Sequence, residues 1–425
     1  MTQHSDPVDR AMVLSRDGWG RIIALIAAAD GDLAGAEDAL GTALERGLRT
    51  WRSSGVPSNP EGWLYRVALN ARRDVWKSSA ARTSVALDPE IHDGAEAGAD
   101  PAESIDTEAL PDRRLELLAV CAHPDIDPGA RPLLMLSAVM GMTGKQIASA
   151  MALPSATVAA RLTRAKKRVA AMGVRFGSSD RLELEARLPD VREAIYGAFA
   201  IEWTHAVAQP REGMVGEALY LSRLLTQLCP GDGESHGLAA LIHLSAARFP
   251  ARRGGSGEFV PLNDQDPQSW DQSLIAEGES HLREVHRCAG IGRFGLEAAI
   301  QLLHMAGVRS GITDWPMLRR LHDHLDRIAP SLGGSISRAA VIAEIDGPGA
   351  GLAVLDTIAA DDSRAGAFQP AWVLRGYLLA RLDQPENSAV AYRRAIELTA
   401  DPGEREYLAR KPTPTSQKLP GAGRV

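Results

Sequence analysis

The sequence predicts an all-α protein, and three observations carry that expectation. Aromatic residues make up only 5% of the chain while Ala and Leu abound, and both of these cost little in a helix interior. Strand-like runs of Val, Ile and Thr are scarce. Apolar residues instead recur at steps of three and four behind helix-start signals at Asn59-Pro60, Thr143 with Gln146, and Pro154-Ser155. The length of 425 residues is enough for about two to four domains.

Hydrophobic and charged contents of 45% and 24% are ordinary for a soluble globular protein. Residues 1–20 mix Asp, Arg, His and Ser and lack the apolar core of a signal peptide. No apolar run approaches the roughly 20 residues of a membrane span, so a cytoplasmic protein without membrane contact is expected. Cys121, Cys229 and Cys288 stand alone. They form neither a disulfide framework nor a metal-ligand spacing, so neither a metal nor a cofactor is expected.

A net charge of -7 argues at first against nucleic-acid binding, but the charge is segregated. Residues 143–177 hold seven cations (Lys145, Arg161, Arg164, Lys166, Lys167, Arg168, Arg175) and no acid. Residues 88–112 hold nine acids and no Lys or Arg. Local charge, not the total, decides where a polyanion binds.

Taken in order, residues 10–82 read as a first helical unit and 83–112 as an acidic flexible linker. Residues 113–177 read as a second helical unit, 181–410 as a longer series of helices, and 411–425 as a disordered tail. In the first unit, Asn59 caps a helix that opens with Pro60. Trp63, Leu64, Val67, Ala68, Ala71 and Val75 form its apolar side. Arg66, Asn70, Arg73 and Lys77 lie away from that side, with Tyr65, Arg72 and Trp76 on a third flank. Cations beside aromatic rings suit a single nucleic-acid strand, phosphates on the charges and unstacked bases on the rings. A solvated basic face with Trp76 in a core contact is the alternative.

The second unit is sharper. Thr143 and Gln146 match a capping box, and Ile147, Ala148 and Met151 give a short helix its buried side. After a break at Ala152-Leu153, Pro154-Ser155 opens a second helix whose inner face is Val158, Leu162, Ala165 and Val169. Thr157, Arg161, Arg164, Lys167 and Arg168 remain on the outer face and flanks. Two short helices, a tight turn and a basic second helix describe a helix-turn-helix; a helical hairpin with a basic surface is the alternative.

Two phrases in this order resemble a known family. Residues 32–40 (DLAGAEDAL) with 59–70 (NPEGWLYRVALN) resemble sigma region 2. Residues 143–151 (TGKQIASAM) with 154–168 (PSATVAARLTRAKKR) resemble sigma region 4. Region 2, linker and region 4 without a region 3 is the order of extracytoplasmic-function sigma factors. Cys121-Ala-His-Pro124, Asn263-Asp-Gln-Asp266 and Trp270-Asp271 are similar to the subgroup with a tetratricopeptide-like extension.

This resemblance implies that Glu37, Asp38, Leu40 and Leu44 bind the clamp helices of the RNA polymerase largest subunit. It implies that Tyr65, Arg66, Asn70, Arg72, Arg73, Trp76 and Lys77 hold the melted -10 element of promoter DNA. Lys145, Ser155, Thr157, Arg161, Arg164, Lys167 and Arg168 would read the -35 element, while region 4 also touches the polymerase flap. The polymerase core does the chemistry, so the chain is not expected to be an enzyme. The family's usual Gln or acid after Asp-Ala-Leu is replaced by Gly41-Thr42, and the -10 helix lacks an Arg-rich end. A degenerate sigma-like regulator is therefore one alternative, and a helical enzyme domain fused to sigma-like regions another, although no catalytic motif supports the latter.

In the C-terminal half, residues 371–404 match a tetratricopeptide repeat, with Trp372, Gly376, Leu382, Ser388, Tyr392 and Ala395 at its signature positions. Trp372, Gly376, Ser388, Tyr392 and Ala395 are expected to carry the repeat packing. Such stacks commonly bind protein surfaces, so the extension is expected to modulate activity through a protein partner or an intramolecular contact. Its loss after Phe176 is expected to lower transcription and leave the sigma domains folded. His281, His286, His304, His322 and His324 have no metal-site spacing. Asp266 or Ser269 is read as a helix cap.

Overall fold

The computed structural model describes residues 18–28, 31–83, 112–151, 153–173, 181–203, 213–255, 257–288 and 290–411. The expected linker, except its two ends, and the expected tail, except Lys411, lie outside these residues. Among the described residues there are 18 α-helices and no strand, only a single bridge between Arg253 and Phe259. The chain divides into two units, the first formed by 1–202 with 211–224 and the second by 203–210 with 225–425.

The first unit begins with α1 (Trp19–Ala27), α2 (Leu33–Ser54) and α3 (Pro60–Thr83). Asp32 starts α2 by accepting from the Gly35 N–H at 3.0 Å, and Asn59 starts α3 by accepting from Gly62 at 2.8 Å. Each cap satisfies a backbone donor that the helix leaves open. Next come α4 (Arg114–Cys121), α5 (Arg131–Ala138), α6 (Gly144–Ala150) and α7 (Ser155–Met172). The expected capping box forms, with Thr143 and Gln146 each bonding the other's backbone. Ile147 and Ala148 are buried as expected, whereas Met151 is exposed. Pro154 precedes α7, whose inner face Val158, Leu162, Ala165 and Val169 is buried.

The core of this unit joins residues from both ends of that series. Ile22, Ile23, Leu33, Leu40 and Leu64 are fully buried, as are Leu117, Leu118, Leu133, Leu134 and Ile147. α1 packs on α4, and α2 packs on α7. One expectation fails on α3: Trp63, Leu64, Val67 and Ala68 are buried, but Val75 is 54% exposed. The buried stripe shifts instead toward Arg72, which is drawn inward by the Asp32 carboxylate at the start of α2.

Most of α8 (Arg181–Trp203) and the first turns of α9 (Gly213–Leu228) also belong to the first unit. Arg131 pairs with Asp190 at 2.8 Å, and Arg187 donates to the Ala119 carbonyl at 3.2 Å. Buried Arg114 pairs with both Asp112 and Glu217 and lies 4.6 Å from the Tyr220 ring centre. Residues beyond 176 thus take part in the polar packing of the first unit, which extends past the expected end of the sigma-like part at Phe176.

The second unit contains α10 (Gly233–Ala246), α11 (Gln272–Arg287), α12 (Arg293–Ser310), α13 (Trp315–Ile328) and α14 (Leu332–Asp346). It continues with α15 (Pro348–Asp361), α16 (Gln369–Arg381), α17 (Pro385–Leu398) and α18 (Pro402–Ala409). α10 is buried on every side from Ser235 to Ala246 and lies between α11 and α12. From α12 onward each helix packs on the next. In the α16–α17 hairpin, Ser388 donates to the Gly376 carbonyl at 2.8 Å. An ideal Cβ on Gly376 would lie 3.0 Å from the Tyr392 ring, so only hydrogen fits comfortably. Tyr392 and Ala395 are buried, and Trp372 packs beside them.

Asp266 accepts from Gln268 at 3.0 Å, as expected of a cap on a short turn. The cap of α11 is Asp271, which accepts from Ser273 and Leu274. Among the described residues, no group of three or more His, Cys, Asp or Glu side chains is arranged to hold a metal ion. His281 instead contacts His236 at 3.1 Å between ring nitrogens, and His322 is buried.

Candidate nucleic-acid interface

The first candidate surface is the outer face of α6 and α7. Lys145, Ser155, Arg164, Lys167 and Arg168 are exposed, and Thr157 and Arg161 are half-buried. Arg161, Arg164 and Lys167 succeed one another at steps of three, so they share a stripe along α7. The segment before α5 orients two of the cations. Arg161 donates to the Gly129 carbonyl at 3.4 Å, and Arg168 pairs with Asp125 at 2.7 Å. The latter pair is exposed on both sides; such pairs contribute about 0–1 kcal/mol, so Arg168 can exchange its partner for a phosphate at little cost. Asp125, Asp127, Arg161, Arg164 and Arg168 line a cavity of about 330 Å³ here.

Lys166, on the same helix, behaves differently. Its ammonium is half-buried in an ion pair with Glu37 of α2. Cys121 is buried beside this pair, and burial together with the Glu37 carboxylate pushes its thiol up. Cys121 is thus a packed thiol, and the neighbouring His123 ring accepts from the Asp125 N–H at 3.1 Å.

The second candidate surface lies where α2 runs into α3. Trp51 and Trp63 meet edge to face with ring centres 5.3 Å apart. They form a wall of a cavity of about 630 Å³, which is also lined by Arg46, Arg49, Thr50, Ser54 and Asn70. The two rings are buried, so the cavity offers its two cations and the exposed Asn70 amide to a phosphate chain. The α3 helix supplies Asn70, which is exposed, and Tyr65, Arg66 and Arg73, which are half-buried. Burial raises the Tyr65 phenol above its usual range. The side chains of Trp76 and Lys77 lie outside the described residues. Sequence reasoning missed Arg46, Arg49 and Trp51; the signal that could have found them is their spacing at the end of α2, just before the Gly55–Pro57 turn.

Three expected site residues point elsewhere. Arg72 is 6% exposed and pairs with Asp32 at 2.7 Å, so it faces the α2 N-terminus and not a DNA strand. Burial pushes the Asp32 carboxyl up, but the Gly35 N–H and the Arg72 guanidinium outweigh it and hold the group below the usual carboxylate range. Leu40 is 1% exposed and belongs to the core, so it cannot meet a partner while this core is closed. Glu37 is committed to Lys166. Of the expected polymerase contacts, Asp38 is exposed and Leu44 is half-buried.

Comparison with known proteins agrees with the helix-turn-helix. Residues 123–169 match the family model "Sigma-70, region 4", and residues 187–286 match a family of unknown function, DUF6596. The chain is 32% identical over 377 residues to an uncharacterized protein of Rhizobium meliloti (strain 1021), covering 88% of each chain. No solved structure matches. Among the described residues no helix is long and apolar enough to cross a membrane. Residues 123–169 thus carry a match to sigma-70 region 4 on the helix-turn-helix, and the chain, alike over most of its length, belongs to the same family as the Rhizobium meliloti protein.

Proposed function

We propose that the chain is an extracytoplasmic-function-type sigma factor that binds the RNA polymerase core and directs it to promoters. α6 and α7 read the -35 element, and the α2–α3 cavity with Tyr65, Arg66, Asn70 and Arg73 receives the melted -10 strand. Residues 181–410 act as a tetratricopeptide-like extension that modulates this activity in the cytoplasm. The observation that carries the reading is the stripe of cations on α7, exposed on the helix-turn-helix that matches region 4. An α-helix fits the major groove, phosphate contacts set its register, and its outer side chains reach base edges.

The test is run-off transcription and footprinting with purified polymerase core. Arg164→Ala and Lys167→Ala should each weaken promoter binding and reduce the slope of log K against log salt by about 0.9 for each phosphate that is no longer neutralised. Footprints and salt slopes unchanged in both variants would rule out this face. Absence of any core-dependent transcript would rule out the sigma role.

A further inference from the structure

A polar cluster lies inside the second unit, where the end of α10 meets α12, α13 and the turn before α11. α10 and α12 approach so closely that an ideal Cβ on Gly237 would be 2.4 Å from the Gly295 nitrogen. Phe294, Ala298 and Met305 are buried on α12, and Gln301 shares their face at steps of three and four. Arg248, just past α10, is buried. Its Nε donates to Gln265 Oε1 at 3.2 Å, and the Gln265 amide donates to the Val260 carbonyl at 3.0 Å. Trp270 is 3% exposed. The Asp271 N–H bonds the Ala247 carbonyl at 2.9 Å, which ties this stretch to the Arg248 turn. The turns Leu262–Asp264 and Pro267–Ser269 pack on α12. His304 is half-buried one turn beyond Gln301 and close enough to Arg248 to feel its charge. His322 on α13 is 5% exposed and lies near His304.

Among the described residues, four buried polar atoms of this cluster have no hydrogen-bond partner: Trp270 Nε1, Gln301 Nε2 and both ring nitrogens of His322. Native interiors rarely leave such atoms unpaired, because nothing then offsets their desolvation. The indole and amide nitrogens only donate, as does the Arg248 guanidinium, and a neutral imidazole donates through one nitrogen. Their common complement is a group with several acceptor lone pairs. The surrounding charges give its sign. Burial and the Arg252 charge push Arg248 down to about 10. Burial and the Arg248 charge lower His304, and burial and His304 bring His322 down to about 4. Cations that discourage one another's charge are relieved by an anion. We propose that the second unit holds an interior oxyanion site, in which Arg248, Trp270, Gln301 and His322 take a small carboxylate or phosphate group and His304 stands on its more exposed side. The site is built wholly from the second unit and does not depend on the sigma reading.

The test is a titration of full-length, nitrogen-15-labelled protein with acetate and, separately, with inorganic phosphate, chloride holding the ionic strength constant. The Trp270 indole N–H resonance, identified by its loss in Trp270→Phe, should shift saturably with at least one probe, and the probe that acts distinguishes carboxylate from phosphate. The His322 ring nitrogens should respond with the same midpoint. Gln301→Leu keeps the bulk of the side chain and removes the donor. It should weaken probe binding about tenfold, the worth of one hydrogen bond to a charged group. Its melting temperature without probe should match or exceed that of the wild type, because the amide has no partner to lose, and the stabilisation that the probe confers should shrink. No saturable shift with either probe at tens of millimolar overturns the site. An unchanged midpoint in both Gln301→Leu and His322→Phe overturns its placement among these residues. Equal shifts from acetamide, the neutral analogue of acetate, overturn the oxyanion class. If Gln301→Leu does not fold, His322→Phe supplies the midpoint comparison.

Discussion

Arg72→Ala distinguishes a structural cation from a DNA-binding one. Arg72 is buried and donates to Asp32 at 2.7 Å, and Asp32 also accepts from the first turn of α2. Removing the guanidinium deletes a charge-assisted hydrogen bond, worth roughly 1.5–3 kcal/mol, and the packing of its stem. Asp32 is about a third exposed, so water takes up part of its charge and the cost stays below the roughly 3–5 kcal/mol typical of breaking a fully buried pair. A loss of about 2 kcal/mol is expected, equal to roughly 4–8 °C in the first unit's melting temperature for a unit of this size. The pH dependence has a definite sign. The Asp32 carboxyl lies below its ordinary value in the folded chain, so its contribution is present above the unfolded value and fades as pH falls through the folded one. Arg72→Ala should weaken that acid-side loss, since the Gly35 N–H still bonds the carboxylate. The assay is thermal unfolding across pH, beside single-strand DNA binding across salt. A variant with wild-type stability but a salt slope reduced by about 0.7 would refute the reasoning and return Arg72 to the DNA.

The remaining predictions concern packing and protonation. Gly376→Ala sets a methyl 3.0 Å from the Tyr392 ring and should cost about 1–3 kcal/mol in denaturant unfolding of the second unit; wild-type stability would mean the hairpin relaxes freely. Burial, with His304 nearby, lowers the His322 pKa from 6.5 to about 4. A base whose pKa is lowered by folding makes the folded state less stable as pH falls from 6.5 toward 4, by about 2 kcal/mol at pH 5. His322→Phe should remove that component of the pH dependence, and identical pH profiles would contradict it. A chain ending at Phe176 should aggregate or unfold because Arg114 loses Glu217 and Arg131 loses Asp190. A chain ending at Leu228 should stay soluble, and comparable circular dichroism melts for the two would refute this.

Local features were legible in the sequence because their causes lie within a turn or two of chain. The Asn59 cap, the Thr143–Gln146 box and the buried steps Val158, Leu162, Ala165 and Val169 all depend on residues three or four apart. The same periodicity isolated the outer cations of α7, and local charge marked them as a polyanion surface. On α3 periodicity reaches its limit, because cations occupy two flanks beside the apolar stripe. It assigns a residue to a flank but does not say which flank a neighbouring helix will cover.

Only tertiary structure made those choices. Arg72 turns inward because Asp32, 40 residues away, waits at the start of α2. Lys166 is drawn inward because Glu37, 129 residues away, meets it. Arg114 is buried because Glu217, 103 residues away, joins Asp112 around it. A buried charge is tolerable only where a partner and hydrogen bonds offset its desolvation, and such a partner can lie anywhere in the chain. The sequence alone determined the helices, their caps and the polarity of their faces, since those follow from short-range sterics and hydrogen bonding. Which faces close on each other was decided by long-range packing, and with it which of the marked residues remain available to a polymerase or to DNA.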